Sequence, residues 1–213
     1  MHTCIEIFSG SGTISKELNN AGFISKTIDI RKRKGVCEPD LRTDVLDLTP
    51  GDIYDLAGTK DIFAMWLSPP CDIWSLASGG YHLDDRFNPK TEKAKLHIKI
   101  LKKSLALVEA IKPTFFFIEN PRGKMRHYPP MTNFLVKNRG MIKELTLSSY
   151  GFPTTKPTNI FTNAHDLTLK ELDAFGRGAK CTQDFDNLTK CQRQALPIEL
   201  AKEVVNYLVN KSF

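Results

Sequence analysis

Residues 3–23, "TCIEIFSGSGTISKELNNAGF", decide how the rest of the chain reads. The opening "TCIEIF" is a short apolar run of the kind that forms a buried strand. From Gly12 onward the spacing of apolar residues is helical, and Gly22 marks the stop. Between the two lies "FSGSG" (8–12), where Gly10 and Gly12 let the backbone turn tightly and approach a ligand. A plain strand-to-helix turn would need one of those glycines anyway, and Ser15 stands where a dinucleotide fingerprint has its third glycine. The stretch therefore announces an α/β unit before it announces any ligand.

The same alternation continues outward. "ISKTIDI" (24–30) is a second strand ending in Asp29, and "DLRTDVLDL" (40–48) is a third candidate containing Asp44. "DIFAMWL" (61–67) is an uninterrupted buried strand. A long helix is predicted from about Thr91 to Ile111, with Ile98, Leu101, Leu105 and Val108 on one face. Pro113 ends it, and "TFFFIE" (114–119) follows as the next strand. "MIKELTLSS" (141–149) and "NIFTN" (159–163) supply two more. "PIELAKEVVNYLVN" (197–210) is a closing amphipathic helix with proline at its start. This order predicts an α/β protein with a parallel, doubly wound sheet and helices on both faces. With no repeat, low-complexity tract or linker, residues 1–213 read as a single domain.

Composition narrows the class. At 213 residues, 41% apolar and 25% charged, the chain is an ordinary globular sequence. Its longest apolar runs, such as "IFAMWL" and "FFFI", are too short to cross a bilayer, so no membrane is expected. "MHTCIEIF" lacks the basic start and apolar core of a secretory signal. The five cysteines (Cys4, Cys37, Cys71, Cys181, Cys191) are odd in number and form no Cys-x-x-Cys pair. They suggest reduced thiols in a cytoplasmic compartment. A zinc site would have to combine Cys181, Cys191 and His165, a spacing unlike ordinary ligand sets, and no metal is expected. Net charge is +6, and residues 1–119 contribute none of it. The run 120–143 carries six basic residues and no acidic one. It reads either as solvated surface or as a face for nucleic-acid phosphates.

Ligands of doubly wound sheets bind beyond the carboxyl ends of the strands. "FSGSG", Asp29, Asp44, "SPPC" (68–71) and "ENP" (119–121) all fall there. Asp29 stands where such sheets place a carboxylate for ribose hydroxyls, though a turn would also use it. In "SPPC", Pro69 and Pro70 end the strand and stiffen the platform for Cys71. A thiol so placed is suited to be a nucleophile, the alternative being an inert apolar filler. Glu119 leaves a very apolar strand, and Pro121 keeps Asn120 extended. A carboxyl in such surroundings has a raised pKa and stays protonated near neutral pH, unless it simply pairs with Arg122.

Taken in order, "IEIFSGSG", "SPPC", "ENP" and "YGFPTTKPT" (150–158) resemble the cytosine-5 DNA methyltransferases, from Ile5 to about Leu208. The resemblance implies a Rossmann-like S-adenosylmethionine-dependent methyltransferase sheet. It implies that Phe8, Gly10, Gly12, Thr13 and Pro69 line the S-adenosylmethionine site, that Asp29 holds the ribose and that Asp44 meets the adenine amino group. It further implies that Cys71 is the nucleophile, with Glu119 and Asn120 beside the pyrimidine and DNA as partner. Chemistry agrees: carbon 5 of cytosine becomes nucleophilic once a thiolate adds to carbon 6 and an acid stabilises ring N3. The base must leave the helix for this.

The departures from the family pattern are specific. Thr13 replaces a glycine, Asp72 the Gln after the nucleophile, and Pro121 the Val of "Glu-Asn-Val". The family's Gln-x-Arg-x-Arg block aligns with Thr154, Lys156 and Thr158, so either Lys156 or Arg122 takes the place of the arginine that touches cytosine. Only residues 164–192 are available where the family has a recognition domain. That shortage implies a small phage- or mobile-element-like form, located in the host cytoplasm, with weak sequence preference or a separate specificity partner. Three alternatives stand beside this reading. "SPPC" matches three of four positions of the amino-methyltransferase block, but Cys71 replaces its stacking aromatic residue. A degenerate nucleic-acid-binding or partner subunit would not need both Cys71 and Glu119. RNA in place of DNA fits the same motifs.

Overall fold

A computed structural model describes residues 1–30, 38–170, 188–189, 192–193 and 195–213. Among these residues seven strands form one sheet in the order β3-β2-β1-β4-β5-β7-β6. They are β1 (Thr3–Ile7), β2 (Ile24–Asp29), β3 (Leu41–Arg42), β4 (Ile62–Leu67), β5 (Phe115–Pro121), β6 (Met141–Thr146) and β7 (Pro157–Thr162). The helices are α1 (Thr13–Asn20), α2 (Pro50–Ala57), α3 (Glu92–Ile111), α4 (Pro129–Lys137) and α5 (Ile198–Lys211). The long helix falls where its periodicity places it. Thr91 caps α3, its hydroxyl accepting from the Ala94 amide at 3.2 Å, and Pro113 lies just past its end.

Each face of the sheet is covered by helices, because adjacent strand residues point to opposite sides. Ile5, Ile7, Met65, Leu67, Phe116 and Ile118 pack against α2, α3 and α4. Cys4, Ala64, Trp66 and Phe117 pack against α1 and α5. Among the described residues no helix is long and apolar enough to cross a membrane.

Two expectations are corrected. The sheet is parallel only through β3, β2, β1, β4 and β5, whereas β7 lies between β5 and β6 and runs antiparallel to both. The connection from β6 to β7 is ten residues with no crossover helix, so the chain can only double back on itself. This reversal brings the start of β7, and with it Lys156, to the edge where β1–β5 end. The second correction concerns "DLRTDVLDL", of which only Leu41 and Arg42 join the sheet. Asp44 instead starts a turn, its Oδ1 accepting from the Leu46 amide at 2.9 Å.

The loops after β4 and β5 are fastened to each other at two points. Asn120, fully buried, donates from Nδ2 to the Pro69 carbonyl at 3.0 Å. Farther out, the Lys124 amide donates to the Trp74 carbonyl at 2.7 Å, beside a bridge between Ser75 and Gly123. A Cβ on Gly123 would stand 2.1 Å from the Trp74 carbonyl oxygen. The backbone of Gly123 is extended, so closeness rather than conformation demands glycine there. Gly123→Ala should therefore cost ~1–3 kcal/mol, the range for forcing atoms into a packed site. Urea denaturation checks this; a variant as stable as the parent would show that the two loops do not meet so closely.

Candidate active site

The first half of the site lies over β1, β2 and β3. The turn after β1 places Phe8, Gly10 and Gly12 in left-handed conformations, at φ 61°, 51° and 64°. Glycine tolerates this freely, whereas Phe8 is strained by it. The Phe8 amide donates to the Ile28 carbonyl at 2.9 Å, which anchors the turn on β2. Asp29, ending β2, accepts from the Gly10 amide through Oδ2 at 3.0 Å. Ser11 and Thr13 share a hydroxyl–hydroxyl bond of 2.7 Å at the mouth of α1. One strand farther, Asp44 follows β3. The glycine turn and two carboxylates thus stand in a row along one sheet edge.

The second half lies over β4, β5 and the start of β7. Cys71 follows the two prolines, and its carbonyl accepts from the amides of Trp74 at 2.9 Å and Ser75 at 3.1 Å. Burial, then the negative charges of Glu119 and Asp72, push its thiol up to about 11, against the pull of Lys156. Asp72 itself is ion-paired with Lys93 at the start of α3. Glu119 is half-buried as a residue, yet its Oε1 is buried and has no hydrogen-bond partner among the described residues. Burial raises its pKa, while Lys156 and a hydrogen bond with Ser68 lower it. Ser68 in turn accepts from the Trp66 indole N–H at 3.0 Å. Cys71, Glu119 and Lys156 are therefore close enough to feel one another's charge.

Arg122 goes elsewhere. Its amide donates to the Pro157 carbonyl at 2.8 Å, and its guanidinium lies 3.9 Å from Glu144, which also pairs with Arg126. Of the two cations left open by the sequence, Lys156 is the one whose charge acts on Cys71 and Glu119. Its backbone has φ 31°, its Nζ donates to the Arg193 carbonyl at 2.8 Å, and it sits 5.2 Å from the centre of the Phe152 ring.

The structure thus gathers the sequence candidates into two adjoining clusters on one edge, with Pro69 and Asn120 at the seam. Sequence reasoning passed over Ser68, Gly123 and Glu6. Glu6 could have been noticed as a charge inside an apolar strand; the other two carry no local sign. Cys181 and Cys191, and most of 164–192, lie outside the described residues.

No family model matches the chain, and no curated protein matches it. Among solved structures it is similar to the Entamoeba histolytica methyltransferase EhMeth, with TM-score 0.64 and 12% identity over 99% of this chain and 98% of that one. It is also similar to an E. coli prophage-encoded protein described as a DNA modification methyltransferase, with TM-score 0.56 and 19% identity over 80% of this chain and 49% of that one. S. pombe Dnmt2 methyltransferase is a third, with TM-score 0.50 and 15% identity over 76% of this chain and 49% of that one. The chain spans about half the length of the latter two. Identities this low speak to architecture alone. The chain has the Rossmann-like fold of the methyltransferases, a seven-stranded mixed sheet with helices on both faces.

Proposed function

We propose that the protein transfers a methyl group from S-adenosylmethionine to carbon 5 of cytosine in DNA, through a transient bond between Cys71 and carbon 6 of the base. The observation that carries this reading is the coupled trio of Cys71, Glu119 and Lys156 beside a strained glycine turn. The residues over β1–β3 fit the cofactor. The turn offers close backbone approach, Asp29 can accept from ribose hydroxyls, and Asp44 can accept from the adenine amino group. When bound, S-adenosylmethionine supplies an electrophilic methyl group.

The protein's own groups do the rest. Cys71 loses its proton and its sulfur bonds to carbon 6. Glu119, kept neutral by burial, hands a proton to ring N3 and so leaves electron density on carbon 5. Its Oε1, without a partner among the described residues, is where a base edge would dock. Once carbon 5 is methylated, a base takes its proton, the carbon 5–carbon 6 double bond re-forms as the thiolate leaves, and ring N3 returns its proton to Glu119. The required states favour each other: a neutral Glu119 withdraws a negative charge that holds the Cys71 thiol up. Two prolines and the Asn120 bond fix the sulfur, which suits an attack that tolerates errors of about 0.5 Å.

DNA is the substrate this reading favours, approached through the basic side chains of the loop after β5 (Arg122, Lys124 and Arg126), which need not read sequence. Lys137 and Lys143 bind Glu109 and the His165 carbonyl toward the opposite edge of the sheet. A short sequence preference, or a partner that supplies one, follows from the brevity of 164–192. The direct test incubates the protein with labelled S-adenosylmethionine and duplex DNA, single-stranded DNA or RNA, then identifies the labelled nucleoside. We expect 5-methylcytosine from DNA with the parent and none with Cys71→Ser. Label on an exocyclic amine, or full turnover by Cys71→Ser, would overturn the mechanism.

Lys156 gives a second test, in which the sign can be worked out. Its charge lowers the pKa of both Cys71 and Glu119. Removing that charge raises both, so both limbs of the kcat/KM profile, which report these two ionisations, move to higher pH. Lys156→Met should therefore shift the whole profile alkaline. An unmoved profile with lower activity would show that Lys156 acts only by holding Arg193.

A further inference from the structure

Glu6 is buried in the middle of β1, 4% exposed, and the mechanism above does not use it. Its Oε2 accepts from the Ser15 amide at 2.9 Å, and the Ile14 amide and Ser15 hydroxyl also bond to it. Ser25 donates to the Ser15 hydroxyl at 2.9 Å and completes the arrangement. These amides belong to the first turn of α1, whose cap, Gly12, offers no side chain. Phosphate-binding α/β proteins point such first-turn amides at their ligand's phosphate. Here a carboxylate of the protein's own already occupies them, from inside the sheet.

A neutral serine or glutamine could cap the same amides without burying a charge, which is costly. We propose that Glu6 sets the ligand class of the Phe8–Gly12 turn: it fills the anion-binding end of α1 with the protein's own carboxyl group, so the turn admits a phosphate-free adenosine ligand and disfavours a nucleoside phosphate. The inference rests on reading that turn as the adenosine cradle. It explains how a turn so close to a dinucleotide fingerprint serves a sulfonium cofactor, whose charge near the sulfur is positive.

Burial, opposed by the bonds to Ser15 and Ile14 and by Lys16 on α1, brings the Glu6 carboxyl up to about 7. It is neutral below that pH and charged above, so repulsion of phosphate should grow as pH rises through neutrality. Other groups face the same region. Cys4 on β1 stays a thiol, pushed up to about 12 by burial. Asp29 reaches the turn from β2, and β4 presents Trp66 beside Glu6. On the far side of α1, α5 carries Glu203 and the Glu199–Lys202 pair.

The test compares adenosine with ADP-ribose, neither of which changes charge between about pH 6 and about pH 8. Each competes against labelled S-adenosylhomocysteine. In the parent, the preference for adenosine should rise about tenfold over that range, the equivalent of one pKa unit of coupling. In Glu6→Gln the preference should be low and flat, and in Asp29→Asn the pH step should persist. A pH-independent preference in the parent, or a parent-like preference in Glu6→Gln, overturns the inference while leaving the proposed function standing. Should Glu6→Gln fail to fold, the pH series on the parent decides alone. If S-adenosylhomocysteine itself is not held, the cradle reading and the role of Glu6 fall together.

Discussion

The bond from Asn120 Nδ2 to the Pro69 carbonyl is the constraint on which the candidate site depends. Proline has no N–H, so the two prolines before Cys71 cannot stitch that segment to a neighbouring strand by their own donors. A buried carbonyl there still needs a partner, and the neighbouring strand end supplies it. Because β4 and β5 are parallel neighbours, one side-chain bond between their ends sets the separation of Cys71 and Glu119. The close approach of Gly123 to Trp74 repeats the fastening one turn farther out, under the packed rings of Trp74 and Tyr128, 5.0 Å apart.

Around that seam the protein accepts unfavourable terms that a purely structural sheet edge would avoid. Phe8 and Lys156 are both held in left-handed backbone conformations, a strain that surrounding structure must sustain. Burial raises the pKa of Cys71 and Glu119 alike, and one cation opposes both shifts. That cation is steadied by the Arg193 carbonyl. Any partner or ligand that moved Arg193 would thus alter the charge balance at Cys71.

What the sequence made legible was mostly local. Glycines in "FSGSG", prolines in "SPPC" and the periodicity of α3 are signals written in neighbouring residues, and the structure places those elements accordingly. Strand direction is different: "NIFTN" reads as a strand whichever way it runs, and only pairing with β5 and β6 shows it antiparallel. "DLRTDVLDL" was apolar enough for a strand, but Asp44 and its Leu46 bond turned it out of the sheet. That Arg122 turns toward Glu144 depends on a residue of a different strand, which the sequence around Arg122 does not reveal. Gly123 is required by a contact with Trp74, which is invisible without the fold. Glu6 left a trace as an acid within an apolar strand, but its meaning lay in Ser15, across the glycine turn.

The central claim is that Cys71 forms a bond to the target base. A cytosine bearing fluorine at carbon 5 tests it most directly, because after methylation that position has no proton to lose and the thiolate cannot be expelled. The protein is incubated with S-adenosylmethionine and DNA containing 5-fluorocytosine, then digested and mapped by mass spectrometry. The account predicts a stable protein–DNA adduct with the methylated fluorocytosine attached to the peptide containing Cys71. Methylated DNA recovered without any adduct, or an adduct on another residue, would contradict it.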